Sequence, residues 1–278
     1  MNPWTSWRYI ETWDAPGAYH MALDEAMAIL VGKGQLPPTL RLYTWQPAAL
    51  SLGMHQNLYQ SIDRERARTL GVDIVRRPSG GRTVFHDMEI TYSIILPESM
   101  PGIPRSIREA FRLLTQGLVQ AYHLLGITQA SLHEPPQHTQ KTHKTNSPVC
   151  FEDPGESELV IHGKKAAGSA QARLHGALLQ HGSVPLRYDE DKMFQLFYFP
   201  DDTTRTKAFQ RFRETATSIE ASLGKTVSPE MLKMALRDGF ARALGVQWTD
   251  DRLTDEEIRL AEKLYHEKYT TEAWTYRS

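Results

Sequence analysis

The chain has 278 residues, 40% of them hydrophobic and 23% charged, values that exclude disordered, collagen-like and coiled-coil proteins. Its 32 basic side chains face 33 acidic ones, a net charge of −1 with His neutral, without the basic excess of a dedicated nucleic-acid binder. No apolar run approaches the ~18 residues of a membrane helix, the first residues lack a signal-peptide layout, and the single Cys150 cannot form an intramolecular bridge. A soluble cytoplasmic protein is expected, long enough to bury a core without disulfides or structural metal.

Tyr19, Leu23, Ala26, Met27 and Leu30 fall at helical spacing after Pro16-Gly17, and Gly32 and Gly34 stop that helix. Its Asp24-Glu25 pair reads as solvated, because nothing implies an apolar pocket around it. Leu40 to Trp45 alternates as a strand does, and Ala49 to Leu52 forms another, ended by Gly53. Asp73 to Arg76 runs as a strand into the loop Arg77-Pro78-Ser79-Gly80-Gly81-Arg82. Ile90, Tyr92, Ile94 and Leu96 then alternate with Thr91, Ser93 and Ile95 up to Pro97. Ser106 and Glu109 stand as a capping box for a helix whose buried stripe is Ile107, Phe111, Leu114 and Leu118, closed at Gly126.

From His133 to Pro148 the chain is polar, proline-bearing and aperiodic, a loop of the length usually functional or disordered inside a compact domain. Glu158 to His162 and Lys165 to Arg173 read as strands joined at Gly163-Lys164, and Ala177 to Leu186 returns after Gly176. Ser228-Pro229-Glu230 starts a helix with Leu232, Ala235, Leu236, Phe240 and Leu244 on its apolar face. Thr254 and Glu257 form a capping box for a charged last helix through about Lys268. Mixed elements with hairpin-linked neighbours predict an α+β fold, a mixed and mostly antiparallel sheet flanked by helices. Residues 1–250 form the main domain and 251–278 a small helical C-terminal extension.

Three places could carry chemistry. The double glycine after Arg76-Arg77 lets backbone N–H groups approach a carbonyl or phosphate oxygen, and flanking arginines would favour negative charge. It reads equally as a hairpin turn with solvated arginines, and it fits neither the Walker nor the dinucleotide-binding template. A lone cysteine is most often a small buried hydrophobe. Cys150, however, ends a polar loop after Pro148 and precedes Phe151-Glu152-Asp153, a setting that suits a nucleophile for a thioester. Acidic neighbours oppose its thiolate, so a cation is needed, and Lys165 can be brought back by the hairpin. His133, His138 and His143 recur every five residues, which fits no metal-ligand geometry, so no metal is expected.

The sequence resembles the lipoate/octanoate protein ligase and transferase family, through Arg76-Arg77-x-Ser79-Gly80-Gly81-Arg82-x-Val84-x-His86-Asp87 and Gly163-Lys164-Lys165-Ala166-Ala167-Gly168-Ser169-Ala170-Gln171. Leu42-Tyr43-x-Trp45, Ser51-Leu52-Gly53-x-x-Gln56 and Leu179-Gln180-His181-Gly182-Ser183 also match, in order, over roughly residues 5–250. The resemblance implies a fold shared with biotin protein ligases, residues 1–250 being the catalytic domain. Within the family it points to the cysteine-dependent octanoyltransferases, which carry a cysteine ahead of the Gly-Lys-Lys hairpin as Cys150 stands here. Arg82 replaces a glycine common in the ATP-using ligases, and Phe151 stands where a related amidotransferase has proline after its cysteine. The implied reaction moves octanoyl from octanoyl–acyl carrier protein to a lysine of a lipoyl domain, such as the glycine-cleavage H protein, with no cofactor. Cys150 would carry the acyl group and Lys165 would stabilise developing negative charge. Arg76, Ser79, Gly80, Gly81, His86, Gly168 and Gly182 would bind the substrate. An ATP-dependent lipoate ligase, an octanoyl amidotransferase between lipoyl domains and a non-catalytic acyl-binding protein are the competing readings.

Overall fold

The computed structural model describes residues 5–57, 62–134 and 157–277. It begins with β1 (Ser6–Ala15), α1 (Gly17–Gly32), β2 (Thr39–Trp45), β3 (Ala49–Leu52), α2 (Arg64–Thr69), β4 (Asp73–Arg76), β5 (Val84–His86) and β6 (Glu89–Pro97). Next come α3 (Ile107–Leu124), β7 (Ala130–Leu132), β8 (Leu159–Ile161), β9 (Lys164–Lys165), β10 (Gly168–Leu174) and β11 (Ala177–Pro185). Then follow α4 (Glu190–Gln195), α5 (Asp202–Thr215), α6 (Ile219–Leu223), α7 (Pro229–Leu244), β12 (Gln247–Asp250), α8 (Asp255–Leu264), a π-helical turn (Tyr265–Tyr269) and α9 (Glu272–Thr275).

The central sheet has the order β10-β11-β6-β2-β1-β12, antiparallel from β10 to β2 and parallel from β2 to β12. Two three-stranded sheets, β4-β3-β5 and β7-β8-β9, accompany it. The α+β, mostly antiparallel architecture expected from the sequence is the one formed. Alternation along β6 divides its side chains between two helical layers. Ile90, Tyr92, Ile94 and Leu96 join the core under α3 and α7, whereas Ile95 packs with α1 and Ser93 bonds Asp24 on that helix. Two glycines let α3 and α7 cross in near contact. A Cβ on Gly117 would fall 2.0 Å from Phe240 Cδ1, and one on Gly239 would fall 2.5 Å from the Ala121 nitrogen.

Several expectations change. Ser106 caps α3, accepting from the Glu109 N–H at 3.4 Å, but Ile107 is 61% exposed. It occupies the first helical position, where a side chain leans back past the helix start rather than onto the sheet. The buried stripe is Ala110, Leu114, Leu118 and Ala121 instead. The hairpin turn is His162-Gly163, one residue earlier than expected, with φ of 49° and 78°. A two-residue turn of this hand needs positive φ at both positions, which glycine accepts freely and histidine tolerates. The strand expected from Lys165 to Arg173 breaks at Ala166-Ala167, two alanines buried in the core.

The Asp24-Glu25 pair is not solvated: both residues are buried. Glu25 accepts from Lys268 Nζ at 2.6 Å, from the Tyr269 hydroxyl and from His175 Nε2 at 3.0 Å. Burial pushes its carboxyl up, but these donors outweigh that and hold it below the usual carboxylate range. Arg8 on β1 likewise reaches Asp251 at 2.8 Å and the buried Glu257 at 3.0 Å. Glu257 and Thr254 form the expected capping box at the start of α8. Residues beyond 250 are thus tied by ion pairs to the first strand and the first helix. Among the described residues no helix is long and apolar enough to cross a membrane, and no cluster of His, Cys, Asp or Glu could hold a metal.

Candidate active site

On the α1 side of the central sheet lies a cavity of about 240 Å3. Tyr43 and Trp45 of β2, Thr91 of β6, His181 and Ser183 of β11 and Met21 of α1 line it. Gly81, Arg82, Val84 and His86 close one side, and Glu158, Lys165, Gly168 and Ser169 another. The cavity is small for a ligand site, which commonly measures ~300–1,000 Å3.

The glycine loop between β4 and β5 owes its shape to backbone contact. A Cβ on Gly53 would lie 1.9 Å from the Gly81 carbonyl oxygen, so the loop presses directly on the end of β3. Gly81 itself has φ of 96°. The two preceding arginines are not solvated: Arg76 and Arg77 are buried, Arg77 on the cavity wall, and most of their hydrogen bonds go to carbonyl oxygens. Arg77 bonds Ser51 O at 2.6 Å, Gly80 O at 2.7 Å and Arg82 O at 2.8 Å. Arg76 bonds Gly53 O at 2.9 Å, Gln56 O at 2.8 Å, Thr275 O at 3.1 Å and Arg277 O at 3.0 Å. A buried guanidinium needs partners for its fork of donors, and the irregular backbone needs donors for its carbonyls. Each solves the other's problem, and Arg76 does not reach the cavity.

Ser79 and His181 form a second brace. The Ser79 hydroxyl lies 2.6 Å from His181 Nε2, while His181 Nδ1 lies 3.2 Å from Asp24 Oδ2. A carboxylate only accepts, so Nδ1 carries the proton and Nε2 accepts from Ser79. Burial lowers the His181 pKa, with Asp24 pulling the other way, and the ring is neutral at pH 7. Asp24 also accepts from Arg41 at 2.6 Å and from Ser93 at 2.8 Å. Burial would raise its carboxyl, but Arg41, His181 and Ser93 together hold it low. His20 completes the group: Nε2 donates to Thr44 O at 2.7 Å and Nδ1 accepts from Arg41 at 2.6 Å. Burial, then Arg41, pushes His20 down to about 3.

His86 is committed in the same manner. Its Nδ1 faces Glu89 at 2.8 Å, its Nε2 faces the Ser51 hydroxyl at 2.7 Å, and its ring stacks on Trp45 at 4.0 Å. Gly182 is required by contact, since a Cβ there would fall 2.7 Å from Gly168 O and from Tyr92 Cε1. Alternation separates the two lysines of β9. Lys164 points outward and donates to Arg213 O at 2.7 Å, whereas Lys165 is 2% exposed and pairs with Glu158 Oε1 at 2.7 Å.

Of the residues expected from the sequence, the fold gathers Lys165, Gly81, His86, Gly168 and Gly182 on the cavity wall, with Ser79 one bond behind His181 and Gly80 on the bracing loop. Cys150 lies outside the described residues, as do His138 and His143. Asp24, His20, Arg41, Glu89 and Glu158 were not foreseen. One signal for the first two was present: α1 runs apolar around most of its circumference, the mark of a buried helix, so its polar members must be buried too.

Residues 16–241 match the lipoyl protein ligase A/B catalytic domain, and the chain belongs to that family. Octanoyltransferase LipM of Kyrpidia tusciae is 40% identical over 272 residues, covering 98% of this chain and 99% of that protein. Octanoyltransferase LipM of Bacillus subtilis is 38% identical over 274 residues, 98% of each chain. With such relatives over nearly its whole length, the protein is an acyltransferase. Among solved structures, a bipartite lipoate protein ligase from Thermoplasma acidophilum, studied with its E2 lipoyl domain, aligns with a TM-score of 0.77. It is 24% identical over 98% of this chain and 96% of that one. A lipoate-protein ligase A bound with ATP gives the same TM-score and identity over 98% of both chains. At that identity the two structures speak for the fold.

Proposed function

We propose that the protein moves an octanoyl group from octanoyl–acyl carrier protein to a specific lysine of a lipoyl-domain protein, the glycine-cleavage H protein being the expected acceptor. Cys150 attacks the donor thioester and carries the acyl group, and the acceptor lysine then displaces it. Lys165 lies near the thioester carbonyl and stabilises the charge that develops on oxygen. Ser79, Gly80, Gly81, His86, Gly168 and Gly182 shape the acyl site, and Arg76 acts by holding the glycine loop. Residues 1–250 supply the catalytic unit, with 251–278 as a helical extension. The reaction takes place in the cytoplasm.

The observation that carries this reading is the buried Lys165 ion pair on the wall of a cavity that Met21, Trp45 and Val84 also line. An acyl chain needs the apolar wall and its reacting carbonyl needs the cation. Exchange of one thioester for another changes little free energy, so the carrier-protein donor requires no nucleotide. Two covalent half-reactions imply ping-pong kinetics.

The test is intact mass after mixing the enzyme with octanoyl–acyl carrier protein in EDTA without ATP. One octanoyl on the Cys150 peptide is expected. Cys150→Ala should fold, take up no octanoyl and transfer none, and Cys150→Ser should be nearly as poor because a hydroxyl is far less ionised. Wild-type turnover by a folded Cys150→Ala, or activity only with octanoate plus ATP, overturns the reading.

A further inference from the structure

Aminolysis makes a demand that acylation does not. A lysine side chain ordinarily titrates near ~10.4, so the acceptor arrives as an ammonium, and only the free amine can attack. Lys165 assists the thioester oxygen, but a second cation approaching it is repelled. An ammonium also has no lone pair with which to take a proton. The second half-reaction therefore needs a base that also offsets the Lys165 charge.

Among the described residues one carboxylate lines the cavity, and it is Glu158. Its Oε1 lies 2.7 Å from Lys165 Nζ, and its side chain is 12% exposed. The backbone fixes it there: its carbonyl accepts from the His133 N–H at 2.8 Å, and β8 starts at the next residue. The two histidines on the wall are committed at both ring nitrogens, His181 to Ser79 and Asp24, His86 to Ser51 and Glu89. We infer that Glu158 receives the acceptor's ammonium and takes its proton, an assignment that rests on the acyl-enzyme reading above.

The step balances. The ammonium gives one proton to the Glu158 carboxylate, and the amine attacks the thioester carbonyl of octanoyl-Cys150. The C–N bond forms and the C–S bond breaks. The cysteine sulfur leaves with the electron pair and takes the second proton from nitrogen. Glu158 then returns its proton to water.

Glu158→Gln keeps the size and an acceptor for Lys165 but cannot carry the proton. With the full-length enzyme, octanoylation of Cys150 should slow by less than about tenfold, while transfer from it to the lipoyl-domain lysine falls ~10²–10³-fold. Octanoylation itself shows that the variant is folded. The transfer deficit should narrow as pH rises and the free amine grows. Hydroxylamine, uncharged near neutral pH, should discharge the variant's octanoyl-enzyme at close to the wild-type rate, and Glu158→Asp should recover part of the lysine transfer. Equal losses in both half-reactions, or a hydroxylamine rate that falls as far as the lysine rate, would show that Glu158 merely holds Lys165. A wild-type enzyme that never accumulates octanoyl on Cys150 removes the acyl-enzyme reading itself, and this one with it.

Discussion

The Ser79 hydroxyl donates to Nε2 of His181 across 2.6 Å, joining the glycine loop to β11, 102 residues further along the chain. The bond has one direction because Asp24 fixes the proton on the other ring nitrogen. His181→Ala would leave the buried Ser79 hydroxyl and a buried Asp24 oxygen each short of a partner. About 1–3 kcal/mol is expected for each such group, and His181→Gln should lose less. Urea denaturation measures it; an unchanged midpoint would show that the brace contributes nothing.

His20 makes stability depend on pH. Its native pKa is pushed down to about 3, chiefly by burial, whereas an unfolded histidine titrates near ~6.5. Below that pH the unfolded chain binds a proton that the native protein refuses. The stability held by this group is therefore full above ~6.5 and is lost progressively as pH falls toward about 3. His181, also lowered, adds in the same direction. Melting temperatures taken from pH 7 down to 4.5 should fall in the wild type and fall less steeply in His20→Gln. Parallel curves would mean that His20 titrates normally in the native state.

The strand alternation at β9 makes a one-residue test. Lys165→Ala should slow acylation of Cys150 by ~10²–10³, with little effect on donor binding, because the charge it meets develops mainly in the transition state. Lys164→Ala removes an outward bond to a carbonyl and should leave the acylation rate within about twofold, the ordinary result of losing a weak surface contact. Single-turnover acylation by mass spectrometry separates the two. A crippled Lys164→Ala with a silent Lys165→Ala would invert the register.

Two glycines of the site should respond oppositely to a methyl group. Gly182→Ala places a Cβ 2.7 Å from a backbone oxygen, and overpacking of this sort costs ~1–3 kcal/mol. A Cβ on Gly80 meets nothing within 4 Å, so Gly80→Ala should leave the melting temperature nearly unchanged. Equal losses at both positions would contradict the packing described for the loop.

Many strands were legible: β2 and β6 from alternation, and β3, β4 and β11 from the glycines and loops that bound them. β1 was not, because it lies between two parallel neighbours and buries Trp7, Arg8, Tyr9 and Ile10 in succession, which erases a period of two. Arg8 in such a run reads as exposed until Glu257 is placed beside it, 249 residues later. The same limit hid the inner network of the site. Asp24, Arg41 and His181 come from α1, β2 and β11, and each alone looks like a polar surface residue. Gly81 and Lys165 were legible because adjacent glycines and a hairpin lysine leave a local pattern, whereas His86, Gly168 and Gly182 were named only through the family resemblance. Glu158 leaves none, since only the turn at His162-Gly163 sets it against Lys165.

The hold of Thr275 and Arg277 on Arg76 spans 199 and 201 residues, and it bears on the order in which the protein assembles. Translation delivers β3, β4 and the glycine loop early, with Arg76 already placed to enter the interior. Its guanidinium gains the carbonyls of Trp274, Thr275 and Arg277 only when α9 has been made and docked. Until then water must serve those donors, and the glycine loop lacks that part of its support. The brace on the glycine loop is therefore complete only once residues 274–277 have been made and have reached Arg76.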